Sequence, residues 1–217
     1  MGKIYQIAID GPSGAGKSTI AKLIAKKLGI DYIDTGAMYR ALGYKMLQLG
    51  ITEDNLEAVE ELLKTTEIDF SKGDIILDGT VINDLIRTPE ISMKASACSA
   101  LAIVRKHLVK VQQEMGEKKS VIMDGRDIGT DVFPNAPYKF FITATPEERA
   151  TRRYKELTEK GETVSYEETL KSIIERDYND SHRAVSPLRK ADDAEEVDTT
   201  DMTIDEVIEY ICSKIDE

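Results

Sequence analysis

The chain has 217 residues, 41% apolar and 32% charged, as expected of one soluble globular domain with room for a proper core. A formal net charge of −11 and the absence of Trp argue against a broad nucleic-acid or anionic-membrane footprint, but not against a small phosphate ligand held by local cations. No apolar run approaches the roughly 18 residues of a membrane span, "MGKIYQIAID" lacks signal-peptide form, and Cys98 and Cys212 lack metal-ligand spacing, so a cytoplasmic protein with buried thiols is expected.

In chain order, "KIYQIAID" (3–10) predicts a buried strand ended by glycine. From Lys17 the pattern turns helical, with Ile20, Leu23, Ile24 and Leu28 on one face and Gly29 as the stop. "IDYID" (30–34) is the next strand, and strand, glycine loop, helix, strand opens a parallel α/β sheet. Helices are predicted over 37–50 and 55–64. Between Glu67 and Arg87, short β-rich pieces separated by "SKGD" and "DG" predict a small antiparallel insertion. Pro89 opens one long helix through about residue 115. "SVIMD" (120–124) and "YKFFITA" (138–144) are further strands, and helix starts follow at "TPEE" (145–148), "SYEE" (165–168) and "TIDE" (203–206). No repeat or low-complexity segment interrupts this order.

"GPSGAGKS" matches G-x-x-x-x-G-K-[ST] through Gly11, Gly16, Lys17 and Ser18. Between the glycines lie Pro12, Ser13, Gly14 and Ala15, and Thr19 follows on the helix. A loop with so little side-chain bulk can curl its N–H groups inward onto phosphate oxygens, aided by the positive end of the next helix. Lys17 reaches the β- and γ-phosphates of a nucleoside triphosphate, and the Ser18 hydroxyl can ligate Mg²⁺. Asp124 either helps hold that ion through water or simply ends its strand.

No Asn is followed by Lys, so the guanine motif of regulatory GTPases is missing, as is an L-S-G-G-Q-like transporter signature. A small-molecule kinase remains, and it needs a second anionic site facing the loop. Arg40 in "DTGAMYR" and Arg126 in "MDGRDIG" follow strands, at the rim where ligands gather in open parallel sheets. Arg176, Asp180 and Arg183 are spaced to share a helix face. Arg152 and Arg153 form another group with Arg149, which is expected to be an ordinary helix-surface charge. The planar guanidinium suits bidentate phosphate contacts. His107 and His182 have no partner at triad or metal spacing, and Tyr39 and Tyr178 are expected in packing.

Taken together, "IDGPSGAGKST", "DTGAMYR", "IRTPE", "DGRDIGTDVFPNAP", "ERATRR" and "RAVSPL" resemble bacterial-type cytidylate kinase, in matching order over nearly the whole chain. The resemblance implies a P-loop three-layer α/β fold with a central parallel sheet, helices on both faces, a small antiparallel β insertion and a helical lid. It implies one kinase domain over 1–217, with its core at about 1–35, 101–148 and 184–217. The nucleotide-monophosphate insertion would span about 36–100, and the lid with its adjoining helix about 149–183.

The implied reaction is Mg²⁺- and ATP-dependent phosphorylation of CMP and dCMP, by a monomer with no nucleic-acid or membrane partner. By position, Thr35, Arg40, Arg126 and Arg183 would hold the CMP phosphate. Ser96, Arg105 and Asp127 would read cytosine, and Arg176 and Asp180 would contact ribose. Arg152 and Arg153 would close over the ATP phosphates, joining Lys17, Arg126 and Arg183 as the catalytic cations. Asn179 departs from the family pattern, which often has a third Arg there. A P-loop kinase for another nucleotide or a shikimate-like metabolite is the alternative enzyme, and a slow nucleotide-dependent switch the alternative class.

Overall fold

The computed structural model describes residues 4–71 and 73–215. In chain order its elements are β1 (Gln6–Asp10), α1 (Lys17–Leu28), β2 (Asp31–Asp34), α2 (Thr35–Gln48), α3 (Leu56–Lys64), β3 (Ile68–Ser71), β4 (Asp74–Leu77) and β5 (Thr80–Val81). There follow α4 (Pro89–Ser99), α5 (Ala102–Lys118), β6 (Val121–Gly125), β7 (Tyr138–Thr143), α6 (Pro146–Glu159), α7 (Tyr166–His182), β8 (Glu195–Asp198) and α8 (Ile204–Ile215).

Five strands form a parallel sheet in the order β2-β6-β1-β7-β8. Because strand side chains alternate, β1 sends Ile7 and Ile9 to one face and Ala8 to the other. The first face packs with Ile122, Phe140 and Ile142 against Ile20 and Ile24 of α1 and Val207 and Ile211 of α8. The opposite face, with Val121 and Met123, is covered by Met38 and Leu42 of α2 and Leu108 of α5. Helices on both faces explain why these strands are almost continuously apolar. The register sets Asp34 opposite Asp124 and Asp10 opposite Gly125, so the carboxyl ends of three strands come level on one rim.

The antiparallel sheet β3-β4-β5 lies within the predicted insertion and adds Ile68, Ile75 and Leu77 to the second core cluster. The capping signals hold. Thr145 accepts from the Glu148 amide at 3.3 Å, Ser165 and Glu168 cap α7 reciprocally, and Thr203 and Glu206 do the same for α8.

Four expectations need correction. The long helix after Pro89 is two helices, because Leu101 is extended (φ −74°, ψ 122°) and ends the first run. The break frees α4 to lie against α2, so closely that a Cβ on Gly43 would sit 3.1 Å from the Ala95 nitrogen. Leu23 is 40% exposed, since Ile20, Ala21, Ile24 and Ala25 already fill the buried stripe of α1. Tyr178 is 62% exposed and stacks on His182 rather than packing in a core. Arg183 caps α7 in extended conformation rather than continuing its face.

Candidate active site

Gly11 leaves β1 at φ +145°, and a Cβ there would come within 1.9 Å of the Ile142 carbonyl oxygen. Only glycine lets the loop pass β7 so closely. The loop then curls so that Lys17, at the first position of α1, is 5% exposed and donates to the Pro12 carbonyl at 2.7 Å. Burial first, and then the Arg126 charge, pull the Lys17 ammonium well below the usual lysine range. Arg176 adds to that effect, while Asp124 and Asp180 oppose it. Such crowding of cations around a glycine loop disfavours charge until an anion arrives.

Beside the loop, the Ser18 hydroxyl donates to Asp124 Oδ2 at 2.8 Å and the Tyr32 hydroxyl donates to Oδ1 at 2.7 Å. Burial, helped by Asp34, raises the Asp124 carboxyl above the usual carboxylate range. Ser18 therefore donates its hydrogen bond to Asp124 and keeps its oxygen lone pairs available for a hard cation. Thr35 donates to the Asp124 carbonyl at 2.7 Å, which locks the start of α2 to the end of β6.

The segment after β6 winds into a single π-helical turn, Ile128–Val132, that Asp10 holds in place. The Asp10 carboxylate accepts from the amides of Ile128 (2.8 Å) and Gly129 (2.7 Å). Burial nevertheless pushes its pKa up to about 7. This turn presents Asp127 to Arg105, which donates at 2.7 Å, and to Arg183 Nη2 at 3.5 Å. Arg105 is 2% exposed, lies 5.1 Å from the Tyr39 ring centroid and also donates from Nε to the Ser99 carbonyl at the helix break (3.2 Å). Tyr39 thus packs as expected and also steadies a cation.

Arg126 pairs with Asp180 at 2.8 Å, and Arg40 with Asp34 at 2.9 Å. Although burial opposes it, Arg126 and then Arg176 hold the Asp180 carboxyl below its usual range. Desolvation, and next the charge of Arg126, lower Arg176 to about 10, although its side chain is exposed. Arg40 Nε and the Tyr39 hydroxyl are buried with no hydrogen-bond partner among the described residues, and Arg183 Nη2, also without a hydrogen bond, has only its 3.5 Å ion pair with Asp127. Buried donors without acceptors cost free energy, and acceptor-rich phosphate relieves that cost. The residues present therefore fit a phosphorylated ligand.

Of the positions singled out by sequence, Lys17, Asp124, Arg126, Arg176 and Asp180 act on one another's charges. Thr35, Arg40, Arg105, Asp127 and Arg183 join them through the contacts above. Ser96 lies half-buried on α4, its carbonyl taken by the Ser99 hydroxyl at 2.8 Å. Arg152 is tied to the end of β8, donating to the Thr199 carbonyl at 2.7 Å, and Arg153 pairs with Glu156 at 2.8 Å.

Arg149 is not a surface charge. It is 3% exposed, donates to the Ser13 carbonyl at 2.9 Å and pairs with Asp177 at 2.6 Å. A solvated helix charge and a buried loop contact look alike in "ERATRR", because the partner lies 136 residues away. Asp10, Tyr32, Asp34 and Asp177 were also missed. A strand-ending Asp beside a glycine loop was the one available signal for Asp10, whereas nothing local marks Asp177.

The model of the family described as cytidylate kinase matches residues 7–217. The chain belongs to the cytidylate kinase family. A cytidylate kinase of Clostridioides difficile is 56% identical over 209 residues, covering 96% of this chain and 97% of that protein. One from Clostridium perfringens is 50% identical over the full length of both. Among solved structures, an uncharacterized protein from Eubacterium ventriosum superimposes with a TM-score of 0.53 at 16% identity, covering 99% of each chain. A Thermus thermophilus protein does so at 0.50, also with 16% identity and 99% coverage of each. At those identities the likeness shows the fold alone, which agrees with the parallel sheet, two helical layers and glycine loop. The family membership rests on the sequence matches.

Proposed function

We propose that the chain transfers the γ-phosphoryl group of ATP directly to CMP and dCMP, giving ADP with CDP or dCDP. The observation that carries this reading is a glycine loop whose buried Lys17 lies at the same strand rim as Arg40 and Arg126, with Arg40 Nε buried and lacking a hydrogen-bond partner among the described residues. The rim carboxylates offset part of the repulsion among these cations, and a bound polyanion would offset more of it.

On this reading the loop from Gly11 to Thr19 holds the donor phosphates. Thr35, Arg40, Arg126 and Arg183 hold the acceptor phosphate, Ser96, Arg105 and Asp127 face the base, and Arg176 and Asp180 contact the ribose. Arg152 and Arg153 release their present partners as the lid closes over the donor. A nucleoside monophosphate near neutral pH is largely dianionic, with a second pKa of about 6. Its oxygen attacks in line without a general base, so the chain's work is alignment, exclusion of water and neutralisation of oxygens by Lys17 and the arginines.

Ser18 and Asp124 offer hard oxygen donors that fit Mg²⁺. When bound with ATP, that ion supplies charge neutralisation at the phosphates. Cytosine and uracil differ in one exocyclic group, donor against acceptor. A carboxylate at that place favours the donor, and mispairing costs about 1–3 kcal/mol.

We propose that the enzyme acts as a monomer. We place it in the cytoplasm. Supporting this, Cys98 and Cys212 are buried, and no described helix is long and apolar enough to cross a membrane.

A coupled assay of ADP release over CMP, dCMP, UMP, AMP, dTMP and shikimate tests the proposal. CMP and dCMP are expected to be turned over fastest. Equal rates with UMP would overturn the base-reading role, and a preference for shikimate would overturn the substrate class.

A further inference from the structure

The helices of the proposed lid are fastened to the glycine loop by an ion pair, buried on its arginine side and half-buried on its aspartate side, that the mechanism above does not use. Arg149 sits in the first turn of α6. Its Nε donates to the Ala144 carbonyl at 2.9 Å, which aims the guanidinium back toward the sheet rim. Nη1 donates to the Ser13 carbonyl at 2.9 Å and reaches Asp177 Oδ2 on α7 at 2.6 Å. The other oxygen of Asp177 accepts from the Ser13 amide at 3.3 Å. Both backbone groups of Ser13 are therefore held, the carbonyl by Arg149 and the amide by Asp177.

The neighbouring residue confirms how tight this seam is. Gly14 has φ +78°, and a Cβ there would lie 3.2 Å from Arg149 Cβ and 3.3 Å from the Arg149 carbonyl oxygen. The loop thus rests directly on the backbone of α6. Taking even the arginine of an ion pair out of water is seldom a net stabiliser against well-packed apolar side chains. A charged pair at this seam calls for a task that an apolar pair cannot do, and gripping a backbone N–H and C=O at once is such a task.

We infer that Arg149 and Asp177 are positioning residues for the donor loop. They fix its outer limb at Ser13, so that the amides beyond it stay turned toward the phosphates, and they make Ser13 the anchor of the lid helices. Neither needs to touch a substrate. This inference rests on the reading that the loop holds the donor's phosphates, and the test separates the two.

The probe is inorganic tripolyphosphate with Mg²⁺, which has no base or sugar. Its affinity and that of ATP are measured by calorimetry for the wild type, Arg149→Lys, Asp177→Asn and the double variant, alongside kcat and the KM for CMP. Each single variant is expected to weaken tripolyphosphate and ATP equally, by about tenfold, the worth of one hydrogen bond to a charged group. The KM for CMP should stay within about twofold, and the double variant should be no worse than the weaker single one, because the two act as a unit.

Variants that bind tripolyphosphate like the wild type would overturn the clamp while leaving the loop reading intact. Loss with ATP but not tripolyphosphate would show Arg149 acting on the base, and would also overturn it. A wild type unable to bind tripolyphosphate would sink the loop reading and the clamp with it. If the variants do not fold, amide exchange of the ligand-free wild type decides. A protected Ser13 amide is expected, and exchange at the rate of an open loop would refute the clamp.

Discussion

Removing the Asp127 carboxylate separates two effects that one substitution would otherwise blur. Its Oδ2 accepts from Arg105 at 2.7 Å and its Oδ1 lies 3.5 Å from Arg183, with all three side chains no more than 8% exposed. In Asp127→Ala two guanidinium ions would face each other in a site with little water. Breaking a buried pair from one side costs about 3–5 kcal/mol. With a urea slope of about 2 kcal/mol/M, the unfolding midpoint should fall by about 1.5–2.5 M. Any change in base preference in that variant would be measured on a weakened fold.

Asp127→Asn keeps the shape and one acceptor oxygen, so it should fall between wild type and alanine in urea. On the proposed reading Asp127 faces the base, so replacing an acceptor with a donor should drop the ratio of kcat/KM for CMP over UMP by about 5- to 150-fold, the equivalent of about 1–3 kcal/mol. The assays are urea unfolding followed by circular dichroism and the coupled ADP assay with both monophosphates. An Asp127→Ala midpoint within about 0.3 M of wild type, far inside the shift worked out above, would refute the buried pair. An unchanged CMP-to-UMP ratio in folded Asp127→Asn would refute base reading.

Three further outcomes are expected. Lys17→Ala should lower kcat by about 10²- to 10³-fold, as for other groups aimed at transition-state charge, with the KM for CMP changed only a few-fold in steady-state kinetics. Because burial and Arg126 hold Lys17 below its usual range, ATP binding near pH 9 should take up protons as the phosphates restore its charge. Calorimetry in buffers of different ionisation enthalpy should show uptake growing as pH rises toward the ordinary lysine value and shrinking in Lys17→Ala; proton release would reverse the sign of the argument. Gly11→Ala places a Cβ 1.9 Å from the Ile142 carbonyl at a strained φ, so thermal unfolding should fall by about 4–8 °C for about 2 kcal/mol.

The parts of the fold legible in sequence are those with local causes. The glycine loop, the Thr145, Ser165 and Thr203 caps and the hairpin pieces at 68–81 each announce themselves within a few residues. β8 does not, because "EEVD" buries only Val197 and owes its extended form to pairing with β7. The π-helical turn was equally silent, since its shape depends on Asp10, 118 residues away, accepting the Ile128 amide.

The site divides along the same line. Lys17, Ser18, Arg40 and Arg126 follow from a motif or a strand end. Arg149 looked like a solvated charge because its burial is set by Ser13 and Asp177, which only the packing of α6 and α7 on the loop brings near. Tyr32 shares a sheet face with Ile30, opposite Ile33, so the pattern of "IDYID" marks it only as a strand residue, and its hydroxyl contact with Asp124 depends on the pairing of β2 with β6.

Donor and acceptor phosphates are expected to lie end to end between the glycine loop and the arginines. A crystal structure with CMP and a non-hydrolysable ATP analogue measures this directly. It should place the CMP phosphate within hydrogen-bond distance of Arg40, Arg126 and Arg183, facing the terminal phosphate beside Lys17. A pyrimidine nucleotide bound on another face of the sheet, away from those arginines, would contradict it.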